Sequence, residues 1–249
     1  RMLDMGFEPQ IRRLVQKSDM PSEKLRRTMM FSATFPQEIQ RLAKEFLRPY
    51  IFIAVGRVGG TTDNIEQRLV WASPDKKMKF DVLVEELKKV PGKTMVFVQK
   101  KRVATQIKKW LYSMNFKAEE IHGDRSQSQR EAALLSFRSG ACQILCATNV
   151  AARGLDIPKV EHVINFDLPT SAEEFDDYVH RIGRTGRAGN VGISTSFYVP
   201  GKDPKVGNGG IAQDLAKIFQ ETGNELPEWF WELPEARGIG KGGKGGKGG

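Results

Sequence analysis

Hydrophobic positions between residues 65 and 199 alternate between short apolar runs and stripes with helical spacing. The runs predict strands, and the stripes, whose apolar side chains lie three and four positions apart, predict helices that follow them. Strands are predicted at 68–71, 95–98, 118–121, 144–147, 163–166 and 195–199. This alternation predicts an α/β fold with a mainly parallel sheet and helices on both faces. Ligands of such sheets bind at the carboxyl ends of the strands, so functional residues are expected in the loops there.

The first part of the chain predicts a smaller α/β piece. Helical stripes are predicted around residues 11–15 and 39–46, and short strands at 28–31 and 50–55. A piece of this size cannot bury a sheet on both faces by itself. Residues 56–64 are glycine-rich and polar, which predicts a linker.

The chain is therefore expected to divide into a first unit, a linker, a main domain and two C-terminal segments. The main domain covers residues 65–200, and an extension with a helix near 211–219 covers 201–237. Residues 238–249 consist of lysine and glycine after a short start, cannot bury apolar surface and are expected to be disordered.

Charge and cysteine content narrow the functional classes. The formal net charge of +9 favours a polyanionic partner such as nucleic acid. Cys142 and Cys146 are four positions apart in a predicted strand region, roughly 13 Å and too far for a disulfide, so both are expected in the core of a protein from a reducing compartment. No apolar stretch approaches the length that spans a membrane, and no membrane partner is expected.

The tripeptide Gly92-Lys93-Thr94 has the appearance of the end of a phosphate-binding P-loop. The full pattern needs a glycine five residues earlier, where the chain has Leu87, and the tripeptide precedes a strand instead of a helix. We therefore predict a turn here. No other segment of the sequence matches a P-loop.

The octapeptide His180–Arg187, His-Arg-Ile-Gly-Arg-Thr-Gly-Arg, carries the strongest candidate chemistry. Arginine is planar, permanently charged and forked, which suits it to a terminal phosphate. Arg184 and Arg187 are three apart and would point the same way in a helical turn. Gly183 and Gly186 would let the backbone approach a phosphate. The alternative, a basic helix end that satisfies the helix dipole, does not account for the whole octapeptide.

Residues 147–156 follow a predicted buried strand and so lie at the carboxyl edge of the sheet. Thr148 offers a hydroxyl to a nucleic-acid phosphate, and Asp156 is suited to accept hydrogen bonds from ribose hydroxyls. A helix N-cap and a structural aspartate remain the alternative interpretation.

Residues 122–130 also follow a predicted strand. Ser126 with Gln129 predicts a capping box and therefore a helix N-terminus, which attracts phosphate. Gln127 and Arg130 lie in the first turn of that helix. The alternative is a capped surface helix without a ligand.

Taken together and in this order, these segments resemble the motifs of the DEAD-box RNA helicases of superfamily 2. Residues 32–34 resemble the interdomain coupling motif, and residues 95–102 the fourth motif. Residues 127–130 match the Q-x-x-R element. Residues 148–156 and 180–187 match the fifth and sixth motifs. Residues 1–7 resemble the segment that follows Asp-Glu-Ala-Asp. Residues 56–59 and Val70-Trp71 resemble the Vasa/Belle-type branch.

The resemblance implies two RecA-like domains, with the C-terminal part of the first at 1–55 and the complete second at 65–200. ATP and RNA would bind between them. Arg184 and Arg187 would meet the γ-phosphate, and Gly154 and Asp156 would also contact ATP. RNA-backbone contacts would come from Lys100, Gly123, Gln127, Arg130 and Thr148. Ser32, Thr34 and His180 would couple hydrolysis to domain closure.

The same resemblance places the P-loop lysine and the carboxylates that hold Mg²⁺ upstream of Arg1, with no metal ligand in this sequence. The chain alone is therefore expected to be an inactive fragment of an ATP-dependent RNA helicase. Such an enzyme remodels RNA duplexes and RNA–protein complexes, and the expected location is the cytoplasm, with the nucleus or RNP granules in addition. Translation-initiation or RNP-granule proteins are the expected protein partners.

Two departures and two alternatives accompany this interpretation. Lys100 stands where the family usually has threonine, and Thr170–Asp177 is longer than usual, so the helix with the arginines is expected to start differently. A non-catalytic RNA-binding or regulatory short form is one alternative function. A DNA helicase of the same superfamily is the other.

Overall fold

The computed structural model describes residues 7–32, 35, 37–54, 64–152, 157, 159–186, 190–203 and 205–239. The chain forms two compact units, residues 1–59 and residues 60–249. Among the described helices, none is long and apolar enough to cross a membrane.

The first unit contains helices α1 (Glu8–Lys17) and α2 (Gln37–Phe46), at the two predicted helical stripes. Arg12 of α1 joins them, because its guanidinium pairs with Glu45 of α2 at 2.6 Å and lies over the Phe46 ring. α2 supplies the buried apolar side chains of the unit: Ile39, Leu42, Ala43 and Phe46.

The two strands predicted in the first unit are wrong for the residues that the structure describes. Residues 28–31 and 50–54 have no strand structure, and Val55 lies outside the described residues. The side chains of Phe31 and Ile51 are 86% and 88% exposed. A strand is held by backbone hydrogen bonds to a neighbour, and neither segment has such a neighbour in the described part of this unit.

The second unit is built on a six-stranded sheet. Its strands are β1 (Ile65–Trp71), β2 (Thr94–Val98), β3 (Ala118–Ile121), β4 (Ile144–Thr148), β5 (His162–Asn165) and β6 (Gly192–Tyr198). Their order is β1-β6-β5-β2-β4-β3, and all neighbours are parallel. The predicted parallel sheet is confirmed.

Helices cover both faces of this sheet, as predicted. They are α3 (Lys76–Lys89), α4 (Lys101–Ser113), α5 (Gln127–Ser139), α6 (Asn149–Ala152), α7 (Phe175–Ile182), α8 (Ala212–Glu221) and α9 (Glu228–Glu232). Along β2, Val96 and Val98 pack with α3 and α4, whereas Met95 and Phe97 pack with α5 and α6. α7, α8 and α9 form a third apolar cluster over β1 and β6.

The outer edge of β1 is covered by a side chain. The Asn224 carboxamide accepts a hydrogen bond from the Gln67 backbone N–H at 2.9 Å and donates to the Ile65 carbonyl at 3.4 Å. The Gln67 side chain donates to the Thr222 hydroxyl and accepts from the Tyr178 hydroxyl. These contacts satisfy backbone groups that an edge strand otherwise leaves open to another strand.

The C-terminal extension packs on the sheet through aromatic side chains. Phe230 of α9 is fully buried and meets the Tyr198 ring edge-on, with centroids 5.5 Å apart. The Glu235 carboxylate accepts hydrogen bonds from the Tyr198 hydroxyl and from the Gly201 backbone N–H. Residues 205–239 therefore belong to the same core as the sheet.

Cys142 and Cys146 are both buried and free, and they lie in different apolar clusters on the two sides of the sheet. Burial raises the pKa of both thiols. Cys146 lies in β4, whereas Cys142 precedes that strand. Both therefore behave as small core residues.

His162 is fully buried in β5. Its Nε2 lies 2.8 Å from the Thr195 hydroxyl, and its Nδ1 has no hydrogen-bond partner within the described residues. Burial, aided by the charge of Arg68, lowers the pKa of His162 to about 4. The imidazole is therefore neutral in the folded protein at physiological pH.

Gly92 and Lys93 form the predicted turn, which leads into β2 at Thr94. Gly92 has a φ of 118°, and the Lys93 backbone N–H donates to the Glu161 carboxylate at 2.7 Å. The Lys93 ammonium donates to the Arg138 carbonyl at 2.8 Å. The turn lies at the amino end of β2, at the opposite edge of the sheet from the candidate site.

Candidate functional site

An open cleft lies at the carboxyl edge of the sheet, where β5, β2 and β4 end side by side. Its walls are formed by α6, which directly follows β4, by α7 and by the turn after α7. The lining side chains are Phe97, Asn149, Ala152, Asp177, His180, Arg181 and Arg184. The octapeptide and helix α6 therefore meet in one place.

Arg181 is the structural centre of this cleft and is only 3% exposed. Its guanidinium donates to the Asn149 carboxamide and to the Asp167 carbonyl, each at 2.5 Å, and lies over the Phe97 ring. Asn149 in turn donates to the Asp177 carboxylate at 2.6 Å. These contacts hold α7 against the start of α6 and against the loop that follows β5.

Sequence reasoning gave Arg181 no role. Arg181 lies three positions after Tyr178 and next to Ile182, both fully buried, so it occupies the inner face of α7. An arginine at an inward position of an amphipathic helix was the available signal, because such a charge stays buried only with several partners.

The helix that carries the start of the octapeptide ends within it. A 3₁₀ turn at Ala172–Glu174 precedes α7, which starts at Phe175. α7 ends at Ile182, so the premise that Arg184 and Arg187 share a helical turn is wrong for Arg184, which lies in the turn that follows. Arg187 itself lies outside the described residues.

His180 and Arg184 both line the cleft. The Arg184 Nε donates to the His180 carbonyl at 3.3 Å, and the residue is 9% exposed. The Thr185 hydroxyl donates to the Val160 carbonyl at 2.5 Å, which anchors the turn beside β5. A largely buried arginine on a cleft wall provides positive charge for an anion.

Gly186 has a packing role in addition to any role near a ligand. Its φ is 67°, and a Cβ there would lie 2.5 Å from Ile65 Cγ1 and 3.2 Å from the Asn64 carbonyl oxygen. The backbone therefore approaches the start of β1 too closely for a side chain. At Gly183 a Cβ would lie 3.3 Å from the Val179 carbonyl oxygen.

The predicted capping box at the start of α5 is confirmed. The Ser126 hydroxyl accepts from the Gln129 backbone N–H, and the Gln129 side chain accepts from the Ser126 backbone N–H. Gln127 donates to Glu131 at 2.7 Å, and Arg130 lies half-buried in the first turn. Sterically, a Cβ at Gly123 would meet only the Lys101 side chain, at 3.5 Å.

A buried polar cluster, which the sequence interpretation did not include, lies beneath this loop. The Glu120 carboxylate accepts a hydrogen bond from the Thr105 hydroxyl at 2.6 Å, and the His122 Nε2 and Arg125 Nη1 lie 3.1 Å and 3.5 Å from it. Burial alone would raise the pKa of Glu120, but the hydrogen bonds from Thr105 and His122 and the charge of Arg125 lower it.

The predicted RNA-contacting residues lie along one edge of the sheet. Lys100 follows β2 and is exposed at the start of α4, Gly123 follows β3, and Thr148 ends β4. Because β2, β4 and β3 are parallel neighbours, these positions share the carboxyl edge with Gln127 and Arg130. The cleft with His180 and Arg184 continues this edge towards β5.

The remaining predicted residues lie in the first unit or outside the described residues. Ser32 is exposed in the first unit and follows no strand, in contrast to the prediction. Thr34, Gly154 and Asp156 lie outside the described residues.

Comparison with known proteins identifies this arrangement. A sequence model of the helicase conserved C-terminal domain matches residues 78–189. S. cerevisiae Dbp5 bound to RNA and ADP BeF3 is 32% identical with a TM-score of 0.64, over 79% of this chain and 49% of that chain. The yeast DEAD-box splicing factor Prp28 is also 32% identical with a TM-score of 0.64, over 99% of this chain and 53% of that chain. The C-terminal domain of the DEAD-box protein Dbp5 is 34% identical with a TM-score of 0.54, over 66% of this chain and 89% of that chain.

The sheet, its helices and these matches define the second unit as a RecA-like helicase C-terminal domain. The chain belongs to the DEAD-box family of RNA helicases. It spans about half the length of the longer solved structures that it matches.

Proposed function

We propose that this chain supplies the RNA- and phosphate-contacting RecA-like domain of an ATP-dependent RNA helicase, which remodels RNA duplexes and RNA–protein complexes. The observation that carries the proposal is the Arg181 contact with Asn149. It fixes His180 and Arg184 in the cleft at the same sheet edge that carries the predicted RNA-contacting residues. Residues 1–55 are proposed to be the C-terminal part of the other RecA-like domain.

For ATP, the chain contributes positive charge and hydrogen-bonding groups. Arg184 and Arg187 are proposed to contact the γ-phosphate, and Gly154 and Asp156 the rest of the nucleotide. Arg184 fits this role because it lies on the cleft wall beside His180. Arginines that stabilise charge in the transition state of phosphoryl transfer accelerate hydrolysis by about three to five orders of magnitude. Mg²⁺ is proposed to be held by carboxylates that are not part of this sequence.

For RNA, the proposed contacts are to the backbone and are independent of base sequence. Lys100, Gly123, Gln127, Arg130 and Thr148 offer cations, hydroxyl and amide groups, and a helix N-terminus at the sheet edge. Phosphate and 2′-hydroxyl contacts carry no base information. The net charge of +9 supports this class of partner. Dbp5, a relative at 32% identity, has been solved with RNA and ADP BeF3.

Finer assignments are also proposals. Ser32, Thr34 and His180 are proposed to couple hydrolysis to domain closure, and the Vasa/Belle-type branch is the proposed subfamily. The proposed location is the cytoplasm, with the nucleus or RNP granules in addition, and the proposed protein partners act in translation initiation or RNP granules. A Dbp5 structure that contains Gle1 and IP6 illustrates that a relative binds protein partners.

The test joins this chain to the P-loop-bearing domain of a DEAD-box relative and measures RNA-stimulated ATP hydrolysis and duplex separation. The joined protein is expected to hydrolyse ATP when RNA is present. Arg187→Ala should lower its kcat by about 10³-fold with RNA binding largely intact, whereas Arg237→Ala, at an exposed position in the C-terminal extension, should leave kcat unchanged. Equal kcat values for the two variants would contradict the role of Arg187. Stimulation by duplex DNA equal to that by RNA would favour a DNA helicase.

A non-catalytic RNA-binding module is the second candidate. It is favoured by one observation, the lack of any P-loop pattern in this sequence. The chain by itself is expected to bind RNA and to hydrolyse no ATP, because its arginines have no bound triphosphate to act on. Robust hydrolysis by the purified chain would contradict this expectation.

A further inference from the structure

Glu120 is an acidic residue in an unusual place, the inner side of the edge strand β3, where it is 5% exposed. Ionised side chains are buried only when partners replace water. The carboxylate is met from α4 by Thr105 and from the loop after β3 by His122 and Arg125. One side chain therefore joins a helix, a strand and a loop.

The hydrogen bonds of His122 favour one tautomer of its ring. The Asp124 backbone N–H donates to His122 Nδ1 at 3.3 Å, so Nδ1 accepts and carries no proton. In the tautomer that fits both contacts, the ring proton is on Nε2, which donates to the Glu120 carboxylate at 3.1 Å. Glu120 thus holds the imidazole in the tautomer that the loop backbone requires.

The loop held in this way leads directly into α5. The His122 carbonyl accepts from the Arg125 backbone N–H at 3.1 Å, which closes a tight turn around Gly123. Ser126 then caps α5. The hydrogen bonds of His122 to Glu120 and to the Asp124 backbone therefore fix the conformation of the residues between β3 and the N-terminus of α5.

We propose that Glu120 and His122 form a buried positioning pair, which presents the Gly123 loop and the α5 N-terminus to the RNA backbone. The pair itself does not touch RNA. This inference rests on the proposed function, because it assumes that the loop contacts RNA. It assigns a role to two residues that the motif pattern left without one.

The test compares Glu120→Gln with Glu119→Gln in the full chain, using a fluorescein-labelled single-stranded RNA and fluorescence anisotropy. Glu119 is a matched control on the same strand, paired with Lys108 at 2.7 Å. Both changes remove one negative charge, which by itself strengthens RNA binding. Glu120→Gln is instead expected to weaken binding roughly fivefold, with Glu119→Gln unchanged or tighter. A loss of positioning weakens RNA binding, whereas a loss of negative charge strengthens it. The direction of the change in affinity therefore distinguishes the two effects.

A second measurement does not depend on RNA. The ¹⁵N chemical shifts of the His122 ring should report a proton on Nε2 in the wild type and a mixture of tautomers in Glu120→Gln. The Asp124 amide should exchange faster with solvent in the variant. If Glu120→Gln does not fold, Thr105→Val removes one hydrogen bond to the carboxylate and serves the same comparison.

The outcomes separate the two proposals. Wild-type protein that binds no RNA would contradict the proposed function. RNA binding that is equal in Glu120→Gln and Glu119→Gln, or an unchanged His122 tautomer, would contradict the positioning pair alone.

Discussion

The Arg181 guanidinium and the Asn149 carboxamide lie 2.5 Å apart and join α7 to the end of β4. Arg181 also donates to the Asp167 carbonyl after β5. Because His180 and Arg184 flank Arg181 on the chain, their position in the cleft depends on this buried contact. The octapeptide therefore contains an arginine that holds the site together beside arginines that are proposed to act on a ligand.

Arg181→Ala is expected to destabilise the second unit by about 3 kcal/mol. The substitution leaves the Asn149 and Asp167 groups without their donor and removes a side chain packed over Phe97. Denaturant unfolding would measure the change, with the exposed Arg237→Ala as control. Matching unfolding midpoints for the two variants would show that the contacts contribute nothing.

Gly186→Ala is expected to cost more stability than Gly140→Ala. Both glycines have a positive φ, 67° and 82°, but a Cβ at Gly140 meets nothing within 4 Å. The Gly140 variant therefore reports backbone strain alone, about 1 kcal/mol. The Gly186 variant adds the clash with Ile65, for a further ~1–3 kcal/mol. Thermal or denaturant unfolding of both variants gives the difference, and equal losses would remove the packing role.

His162 is expected to make the protein acid-sensitive well above the range of carboxylates. Its pKa is lowered to about 4 in the folded state, so the unfolded chain binds the proton more readily. The difference makes the free energy of unfolding depend on pH. The contribution of His162 to stability is fully present above the ordinary histidine pKa, and it is lost as pH falls from about 6.5 towards 4. The free energy of unfolding should drop by about 2 kcal/mol between about pH 7.5 and pH 5.

The control for this pH dependence is His162→Gln, which should show a flat profile in the same window. Glu120, whose pKa is lowered, loses its contribution only as pH falls below its ordinary value of 4.5. Acid sensitivity below that pH should therefore remain in both proteins. A wild-type profile that is flat down to about pH 5 would contradict the neutral buried histidine.

Asn224→Ala is expected to destabilise the protein by about 1–2 kcal/mol, because it uncovers the Gln67 N–H and the Ile65 carbonyl at the edge of β1. Gln213→Ala, an exposed amide on α8, is the control and should be neutral within about 0.5 kcal/mol. Amide exchange at Gln67 should rise in the Asn224 variant only. Unchanged exchange there would show that another group protects this edge.

Arg130→Ala is expected to weaken RNA binding. The slope of the logarithm of the binding constant against the logarithm of the salt concentration should become shallower by the amount that corresponds to about one phosphate contact. Arg138→Ala, at the far end of α5, removes the same charge and is the control. Binding to single-stranded RNA at several salt concentrations measures the slope. An unaltered slope would leave Arg130 as part of a capped helix.

The sequence predicted those features that depend on local pattern. β2 and β4 were recognisable as continuous apolar runs, and Ser126 with Gln129 is a local capping signal. Prediction from the sequence failed where the structure of a segment depends on residues far along the chain. Residues 28–31 are apolar enough for a strand but have no hydrogen-bonded neighbour among the described residues of their unit.

The same limit applies to the candidate site. Arg181 and Glu120 are charged residues that become buried because Asn149 and Thr105 reach them through the fold. No spacing rule reveals such partners. The close approach of Gly186 to Ile65 likewise appears only in the assembled sheet.

The strand order has a bearing on how the protein is made. Ile65 of β1 pairs with Gly192 of β6, and Asn224 closes the outer edge from still further along the chain. During synthesis on the ribosome, β1 emerges before β6. It therefore lacks its neighbouring strand until most of the domain has been translated. Pairing between distant segments is slow, and an unpaired edge invites aggregation. Nascent chains of this protein should therefore depend on chaperones until β6 has left the exit tunnel.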